Sequence, residues 1–264
     1  MATIALEAKQ VGFSYYNGRV LDGIDLQLQQ GELVGLIGPN GSGKTTLLKV
    51  LSGLLNPRPG SVHLYGARLR GLSRRQIAQR IAVVPQELTT PFGFTAWEMV
   101  MLGRTPHVRP LVGATARDRA VVKEKMALTG TLELAPRPFG ELSGGEQQRI
   151  IIAMALAQEA EILLLDEPTV HLDISHQIEI ADLIQQLNCE QGLTVLAIVH
   201  DLNLAALYFD RLLLLHGGRF VANGTPDEVL REDRIRQVFQ ANVQVQQHPT
   251  RRTPQVLILP ALAR

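Results

Sequence analysis

One loop constrains the possible folds of this chain more than any other feature. Residues 38–46 have the sequence Gly-Pro-Asn-Gly-Ser-Gly-Lys-Thr-Thr, which fits the pattern G-x-x-x-x-G-K-[ST] of phosphate-binding loops. The apolar run 33–37 before the loop predicts a buried strand, and the run 46–51 after it predicts the start of a helix. A strand followed by this loop and a helix is typical of α/β folds with a parallel sheet.

The loop has the residue types needed to bind the phosphates of a nucleotide triphosphate. Gly41 and Gly43 allow the main chain to curl with its N–H groups inward, and the helix N-terminus behind them adds positive potential. The Lys44 ammonium can bridge the outer phosphates, and the Thr45 hydroxyl can bind a magnesium ion. The residues predicted to surround the phosphates are Gly38, Pro39, Asn40, Gly41, Ser42, Gly43, Lys44, Thr45 and Thr46.

Composition narrows the class of protein further. The 264 residues are 45% hydrophobic and carry a formal net charge of +1, so the chain can bury a sizeable core and has no bulk charge that favours nucleic acid or an anionic membrane. The longest apolar runs, such as 193–199, are far shorter than the ~18 residues that span a bilayer, and the N-terminus lacks a signal-peptide pattern. We therefore expect a soluble protein that stays in the compartment where it is made. The single cysteine, Cys189, favours a reducing compartment.

The order of strand and helix patterns predicts an interrupted α/β fold. Residues 3–37 have the alternation typical of strands, whereas residues 95–160 contain three helical patterns, at 95–102, 115–129 and 145–159, separated by loops rich in Pro and Gly. Strand and helix patterns then alternate from residue 162 to residue 215. We expect an α/β core with a largely parallel sheet, preceded by β structure and interrupted by a helical block.

Two carboxylates follow the apolar run 162–165. Such a run predicts a buried strand, and open α/β sheets place their ligands at the carboxyl ends of strands. Asp166 is placed to hold magnesium, directly or through water, and Glu167 is placed to orient or deprotonate the water that attacks the γ-phosphate. An Asp-Glu pair is also common at strand ends with no such role, so this pair alone leaves both interpretations open.

A second glycine-rich segment decides between them. Residues 142–149 are Leu-Ser-Gly-Gly-Glu-Gln-Gln-Arg, in which Ser143 can cap a helix whose first amides Gly144 and Gly145 leave bare for an anion. Together with the loop, this segment resembles the signature of the ATP-binding cassette family. The resemblance implies that Ser143, Gly144, Gly145 and Glu146 face the γ-phosphate of an ATP held by a second subunit, so that a head-to-tail homodimer sandwiches two ATP molecules.

Other elements of that family occur in the same order. By resemblance, Gln86 senses the magnesium ion and the attacking water, and His200 touches the γ-phosphate. Tyr15 is similar to the aromatic residue that stacks on adenine, with Tyr16 as a possible substitute; stacking alone does not exclude GTP, so ATP comes from the resemblance. By the same resemblance, residues 170–173, Val-His-Leu-Asp, form the segment that crosses the dimer between the two sites. Position 170 is a valine in this chain, where serine is commoner in the family.

The resemblance also implies a fold and a domain organisation. It predicts a P-loop NTPase (RecA-like) α/β core, with an N-terminal antiparallel β subdomain and an inserted α-helical subdomain. The ATPase domain is expected over residues 1–240, with the helical insertion at about 87–160. Residues 241–264 are predicted to form a C-terminal extension that resembles a β-hairpin.

Residues 100–107, Val-Met-Leu-Gly-Arg-Thr-Pro-His, narrow the resemblance to the ATPase subunits of bacterial importers for iron siderophores, haem and cobalamin. It implies integral-membrane permease subunits as partners, a substrate-binding protein indirectly, no nucleic acid, and a peripheral place on the cytoplasmic face of the inner membrane. We expect Arg104 and His107 to couple ATP hydrolysis to the membrane partners; the plainer interpretation is an interhelical loop. The alternative function is a cassette ATPase that remodels a cytosolic assembly such as an iron-sulfur scaffold.

Overall fold

The computed structural model describes residues 3–16, 18–86, 88, 93–109 and 113–260. Residue 87, where the helical insertion was expected to begin, and residues 261–264 of the predicted extension lie outside the described residues.

Within those residues the strands and helices alternate much as the sequence predicts. The strands are β1 (Ile4–Tyr15), β2 (Gly18–Gln29), β3 (Leu33–Ile37), β4 (Ser61–Leu64), β5 (Ala67–Arg68), β6 (Ile81–Val84), β7 (Ile162–Leu165), β8 (Thr194–Ile198), β9 (Arg211–His216), β10 (Arg219–Gly224), β11 (Val243–Gln247) and β12 (Pro254–Ile258). The α-helices are α1 (Lys44–Leu51), α2 (Arg74–Ala78), α3 (Ala96–Leu102), α4 (Ala116–Leu128), α5 (Gly144–Ala157), α6 (Ile174–Gln191), α7 (Leu202–Tyr208), α8 (Pro226–Val229) and α9 (Glu232–Phe239).

A six-stranded sheet forms the centre of the molecule. Its strand order is β10-β9-β3-β8-β7-β6, in which all neighbours are parallel except the edge pair β9 and β10. Every residue of β3, β7 and β8 is buried, as expected for strands covered on both faces, which explains their unbroken apolar sequences. The predicted parallel core is therefore confirmed.

The N-terminal residues form a second, antiparallel sheet of order β2-β1-β4-β5. Buried and exposed residues alternate along most of β2 because one face of this sheet packs inward while the other meets solvent. The buried face shares a hydrophobic cluster with α1 and with one face of the central sheet, represented by Val34, Leu36 and Leu164. The phosphate-binding loop therefore lies between two sheets that pack on the same helix.

Helices cover the opposite face of the central sheet. Leu33 and Ile37 of β3 point into a cluster that includes residues of α3, α5, α6 and α7. Helices α3, α4 and α5 each begin with a capping box. The hydroxyl of the cap residue accepts from the amide of the third helical residue, and the carboxylate of that third residue accepts from the amide of the cap residue. The pairs are Thr95 with Glu98, Thr115 with Asp118, and Ser143 with Glu146. These caps place the helix starts within one residue of those predicted from the sequence.

The 103–107 turn links the helical block to the rest of the molecule. A Cβ atom at Gly103 would lie 2.0 Å from the carbonyl oxygen of Met154 in α5, so only glycine allows this approach. Arg75 Nε and Gln79 Nε2 both donate to the carbonyl oxygen of Pro106, at 2.8 and 3.0 Å. His107 Nε2 lies 2.8 Å from the carbonyl oxygen of Gln158.

Arg104 is the centre of a buried ionic cluster in this turn. Only 2% of its surface is exposed, and its Nε donates to Asp118 Oδ1 at 2.9 Å. Its Nη1 donates to Glu159 Oε2 at 2.6 Å and to the carbonyl oxygen of Ala157 at 2.7 Å. The guanidinium is therefore enclosed by groups of its own chain, and the expectation that Arg104 couples hydrolysis to a membrane partner stays a prediction.

In the last third of the chain we made no prediction from the sequence for β10, α8 and α9, whereas β11 and β12 lie in residues 241–264, where the resemblance predicts a hairpin-like extension. Strand β10 pairs with β9, and the short helices α8 and α9 follow it. Strands β11 and β12 pair antiparallel from Val243–Ile258 to Gln247–Pro254. The side-chain amide of Asn203 in α7 holds this hairpin, since it donates to the Val256 carbonyl at 3.2 Å and accepts from the Val256 amide at 2.7 Å.

No helix in the described part of the chain is long and apolar enough to cross a membrane.

Candidate nucleotide-binding site

Four neighbouring strands bring the predicted site residues to one edge of the central sheet. The phosphate-binding loop follows β3, His200 follows β8, Asp166 and Glu167 follow β7, and Gln86 follows β6. Because these strands are parallel and adjacent, their carboxyl ends open into one cleft. The structure therefore assembles residues that are separated by up to 162 positions in the sequence, from Gly38 to His200.

Two glycines of the loop are required by their surroundings. Gly38 has φ 151°, and a Cβ atom there would lie 2.2 Å from the carbonyl oxygen of Leu215. Gly43 has φ 106°, and its Cβ would lie 3.0 Å from the carbonyl oxygen of Val20. Side chains at these positions would be strained by both backbone conformation and close approach, so the glycines allow the loop to pass between β9 and β2.

Lys44 is buried at the start of α1. Its ammonium donates to the carbonyl oxygens of Gly38 at 2.9 Å and Pro39 at 3.1 Å. Burial lowers the pKa of the Lys44 ammonium, and the Glu167 and Asp166 carboxylates act against that shift. The loop carbonyls thus hold a desolvated cation at the floor of the cleft, which suits it to interact with a polyphosphate.

Thr45 and Asp166 form an oxygen pair that fits a magnesium ion. Thr45 Oγ1 donates to Asp166 Oδ1 at 3.1 Å. Adjacent ligands of octahedral magnesium, each about 2.1 Å from the metal, lie about 2.9 Å apart, so this pair is already close to the required spacing. Burial raises the pKa of Asp166, opposed by the Thr45 hydrogen bond and reinforced by the Glu167 charge. A divalent cation would relieve that electrostatic cost, and magnesium supplies charge neutralisation to phosphate oxygens when it is bound.

Glu167 is held by two polar neighbours. Gln86 Nε2 donates to Glu167 Oε2 at 2.8 Å, and His200 Nε2 is in direct contact with Glu167 Oε1. Glu167 itself has φ 55°, a left-handed conformation that is uncommon for a residue with a side chain. This backbone turn directs consecutive side chains differently, so that Asp166 is directed to Thr45 and Glu167 to Gln86 and His200.

The cleft has a volume of about 740 Å³, enough for a nucleotide triphosphate. Tyr15 stands at its rim in edge-to-face contact with Phe13, with ring centroids 4.9 Å apart. Tyr16 is fully exposed, and of the two tyrosines Tyr15 lines the cleft. The residues that line it are Tyr15, Val20, Asn40, Gly41, Gly43, Lys44, Thr45, Thr46, Gln86, Glu167, Val170, His171 and His200.

Val20, Val170 and His171 are lining residues that sequence reasoning did not place in this cleft. Val20 lies on β2, which approaches Gly43 from the N-terminal sheet. No pattern in the sequence could have indicated this contact, because it depends on how the two sheets pack. His171 has φ 62°. Its position in the sequence between Glu167 and Asp173 was the signal that could have placed it in the cleft.

The residues of the predicted signature, 143–146, lie elsewhere. They are not among the described residues that line this cleft. Ser143 Oγ accepts from the Glu146 amide at 3.3 Å, and Glu146 Oε2 accepts from the Ser143 amide at 2.8 Å. The Glu146 carboxylate therefore closes its own helix cap, and its contact with a nucleotide stays a prediction. Gly144 instead lines a neighbouring cavity with Gln86 and Gln148.

Comparisons with known proteins agree with this geometry. A family model described as ABC transporter matches residues 21–170. The iron(3+)-hydroxamate import ATP-binding protein FhuC of Bacillus subtilis is 40% identical over 250 residues, which cover 95% of this chain and 93% of that protein.

Solved structures agree over most of the chain. A metal-chelate type ABC transporter in an inward-facing conformation has a chain that is 28% identical, with a TM-score of 0.87 and coverage of 98% of both chains. The ATP-binding cassette MJ0796, a dimer bound to ADP and Pi, is 30% identical, with a TM-score of 0.74 and coverage of 83% of this chain and 98% of that chain.

Proposed function

The chain belongs to the ABC transporter family and is an ATPase of it, and on that premise we propose that it is the motor subunit of a metal-chelate importer. Two copies would bind two ATP molecules, close on them, and thereby change the conformation of the permease subunits to which they are attached. Hydrolysis would then reset the system. The Glu167 carboxylate, held by Gln86 and His200 at the cleft that contains Lys44, supports the hydrolysis in this proposal. The observation that carries the import role is the 40% identity to an ATP-binding protein named for iron(3+)-hydroxamate import.

Each side chain of the cleft has a distinct role in this proposal. Lys44 and the loop amides bind the β- and γ-phosphates, while Thr45 and Asp166, with Gln86 nearby, hold the magnesium ion. Glu167 accepts a proton from the attacking water, and His200 orients that carboxylate and contacts the γ-phosphate. Tyr15 stacks on the base, which contributes ~1 to ~3 kcal/mol in comparable sites.

The dimer is proposed because the signature lies outside the cleft of its own subunit. Bare helix N-terminal amides at Gly144 and Gly145 would attract an anion, yet the cleft of the same chain does not include them. A two-fold head-to-tail arrangement brings the signature of each subunit to the nucleotide of the other. The similarity to a dimeric ATP-binding cassette supports this arrangement.

The proposed cargo is a metal chelate of the ferric siderophore, haem or cobalamin class. The support is the similarity to an ATP-binding protein named for iron(3+)-hydroxamate import and to a transporter of metal-chelate type. Both similarities favour import over remodelling of a cytosolic assembly. In this proposal the chain is peripheral at the cytoplasmic face of the membrane, attached through permease subunits, and a substrate-binding protein acts indirectly.

The variant Glu167→Gln tests the role of the carboxylate. The amide keeps the shape of the side chain but cannot take a proton, so we expect ATP binding close to wild type and turnover reduced at least ~100-fold. Stopped hydrolysis should also give an ATP-dependent dimer that size-exclusion chromatography with light scattering detects. Wild-type hydrolysis by this variant would contradict the general-base role.

The same variant tests the proposed partners. Tagged Glu167→Gln protein would be purified with ATP from gently solubilised native membranes, and the accompanying proteins identified by mass spectrometry. We expect a polytopic permease and a substrate-binding protein, which can then be screened against metal chelates. Recovery of soluble partners alone would leave the ATPase in place and overturn the transport role.

A further inference from the structure

His176 lies where two functional segments of the chain meet. Its imidazole, on the first turn of α6, packs over Gly145 at the start of α5. A Cβ atom at Gly145 would lie 2.4 Å from His176 Cδ2 and 2.9 Å from His176 Nε2. The ring therefore occupies the space that any side chain at position 145 would need, which explains why the second glycine of the signature must be a glycine.

The other side of the ring is fixed by Asp173. His176 Nδ1 lies 2.6 Å from Asp173 Oδ1, which also accepts from the His176 main-chain amide at 2.9 Å. Because an ionised carboxylate can only accept, Nδ1 carries the proton and donates it. These two hydrogen bonds hold the pKa of Asp173 below its usual range. The imidazole cannot rotate without losing either this bond or its packing on Gly145.

The two segments that the ring joins serve different sites. Asp173 ends the segment 170–173, whose Val170 and His171 line the nucleotide cleft of the same chain. Gly145 belongs to the signature, 143–146, which lies outside that cleft. In the dimer of the proposed function, on which this inference rests, the signature completes the site of the partner subunit. His176 is thus in contact with one segment of each of the two sites.

Two other contacts join the same parts of the chain. A Cβ atom at Gly144 would lie 3.6 Å from Leu172 Cδ2, an ordinary van der Waals distance. Farther along the same two helices, Arg149 Nη1 and Glu179 Oε2 form an ion pair of 2.6 Å with the Glu179 side chain 53% exposed. Exposed pairs of this kind contribute little, so the contact that ties the signature glycines to α6 is the packing of the His176 ring on Gly145.

We propose that His176 is a positioning residue that couples the nucleotide cleft of one subunit to the site that its signature completes in the partner. When a nucleotide enters the cleft, contacts at Val170 and His171 shift the segment 170–173, and Asp173 moves the imidazole with it. The imidazole then moves Gly145, because no space separates the two. Binding of one nucleotide thereby sets the signature for the other site, which makes hydrolysis cooperative in ATP.

The first test compares wild type with His176→Ala in the full chain. We expect the Hill coefficient for ATP to fall from a value approaching 2 to about 1, and kcat to fall roughly tenfold or more because the signature glycine loses its position. The affinity of the monomeric chain for a fluorescent ATP analogue should be unchanged, since the ring does not line the cleft. A purely structural role would lower the melting temperature and leave the Hill coefficient intact.

Two conservative variants separate the two contacts of the ring. His176→Asn keeps a donor for Asp173 but removes the ring over Gly145, whereas His176→Phe keeps a ring over Gly145 but cannot donate. Coupling through the residue needs both contacts, so both variants should lose cooperativity. They also keep the inference testable if the alanine variant fails to fold. Glu179→Ala is the matched control: it breaks a link between the same helices without touching Asp173 or Gly145, and it should keep wild-type cooperativity.

A double-mutant cycle tests the contact itself. Gly145→Ala should lower the melting temperature because its Cβ collides with the ring, and His176→Ala should relieve most of that loss. Cooperative wild-type hydrolysis with equally cooperative His176 variants would overturn the coupling role alone. Non-cooperative wild-type hydrolysis would overturn the inference together with the dimeric motor, so the two failures are distinguishable.

Discussion

Arg104 illustrates how a single residue can have a role that its chemical type conceals in the sequence. In a segment that resembles importer ATPases, we expected this arginine to couple hydrolysis to a membrane partner. In the structure its guanidinium is enclosed by Asp118, Glu159 and the carbonyl oxygen of Ala157. Hydrogen bonds from Thr115, followed by that from Arg104, hold the pKa of Asp118 well below its usual range. The cluster therefore stabilises the helical block, and it binds the start of α4 to the end of α5.

We expect Arg104→Met to unfold far more easily than wild type. Methionine fills similar volume but leaves the Asp118 carboxylate buried without its cation, a change that costs about 3 to 5 kcal/mol. Since the pKa of Asp118 is lower in the folded chain than in the unfolded chain, its contribution to the free energy of unfolding is complete above pH ~4. That contribution decreases as the pH falls below this value. Urea unfolding of both proteins at pH 7 and below pH ~4 measures this.

The matched control is Arg109→Met, which removes an exposed arginine close to the same cluster. It should change the free energy of unfolding by no more than about 0.5 kcal/mol. Equal stabilities of Arg104→Met and wild type at neutral pH would contradict the structural role and reopen the question of a partner contact.

At the scale of elements, the helices with both an apolar period and a cap were predictable. Thr95, Thr115 and Ser143 marked helix starts that the structure confirms within a residue. Helices α8 and α9 were missed, although Thr225-Pro226 followed by Glu228 is a recognisable start signal: Glu228 Oε2 accepts from the Thr225 amide at 2.8 Å. The sequence could not show that Gln86 and His200 both contact Glu167, because these contacts depend on which strands are neighbours in the sheet.

The approach of α3 to α5 yields a prediction for two glycines. Gly103 has ordinary helical φ, so replacing it with alanine tests close packing without backbone strain. Its Cβ would meet a carbonyl oxygen of α5 at 2.0 Å, and forcing the helices apart should cost about 1 to 3 kcal/mol. Gly140→Ala is the control, because nothing lies within 4 Å of that Cβ. We expect it to be neutral or stabilising by up to about 1 kcal/mol, as measured by thermal unfolding.

A comparable loss of stability in both glycine variants would show that backbone conformation, and not the helix contact, decides the cost.

The contact between α3 and α5 also bears on coupling between regions, since α5 begins at the signature and ends beside Arg104. A rigid α3–α5 pair would transmit movement of the signature to the turn 103–107, which is bonded to α2 through Arg75 and Gln79.

At the scale of the whole molecule, the proposed dimer requires that one subunit carry two incomplete halves of different sites. The cleft supplies the phosphate-binding loop, Asp166 and Glu167, whereas the signature lies apart from it. The sequence predicted the members of each half, and the family resemblance predicted that the halves serve different nucleotides; the structure adds that residues 143–146 are not among the described residues that line the cleft. If each active site is shared between subunits, two differently inactivated chains must complement each other.

The two chains for this test are Lys44→Ala and Gly144→Asp. The first loses the buried cation that binds phosphate in its own cleft but keeps an intact signature. The second places a negative charge where the phosphate of the partner's nucleotide would lie. An acidic residue in the first helical turn favours the helix itself, and the Cβ at position 144 meets only an ordinary contact at 3.6 Å. Each chain should therefore fold, and each alone should have little ATPase activity.

Mixing the two chains should restore hydrolysis, because a mixed dimer combines the intact cleft of one subunit with the intact signature of the other. In an equal mixture, half of the dimers are mixed and each has one complete site, so activity should rise well above that of either chain alone, to at most about a quarter of wild type. The coupling proposed above lowers it further, because the Lys44→Ala cleft holds no nucleotide to set its own signature. Steady-state phosphate release before and after mixing measures this. Activity equal to the average of the separate chains would mean that the signature serves its own cleft or none, and normal activity of Gly144→Asp alone would remove the signature from the reaction.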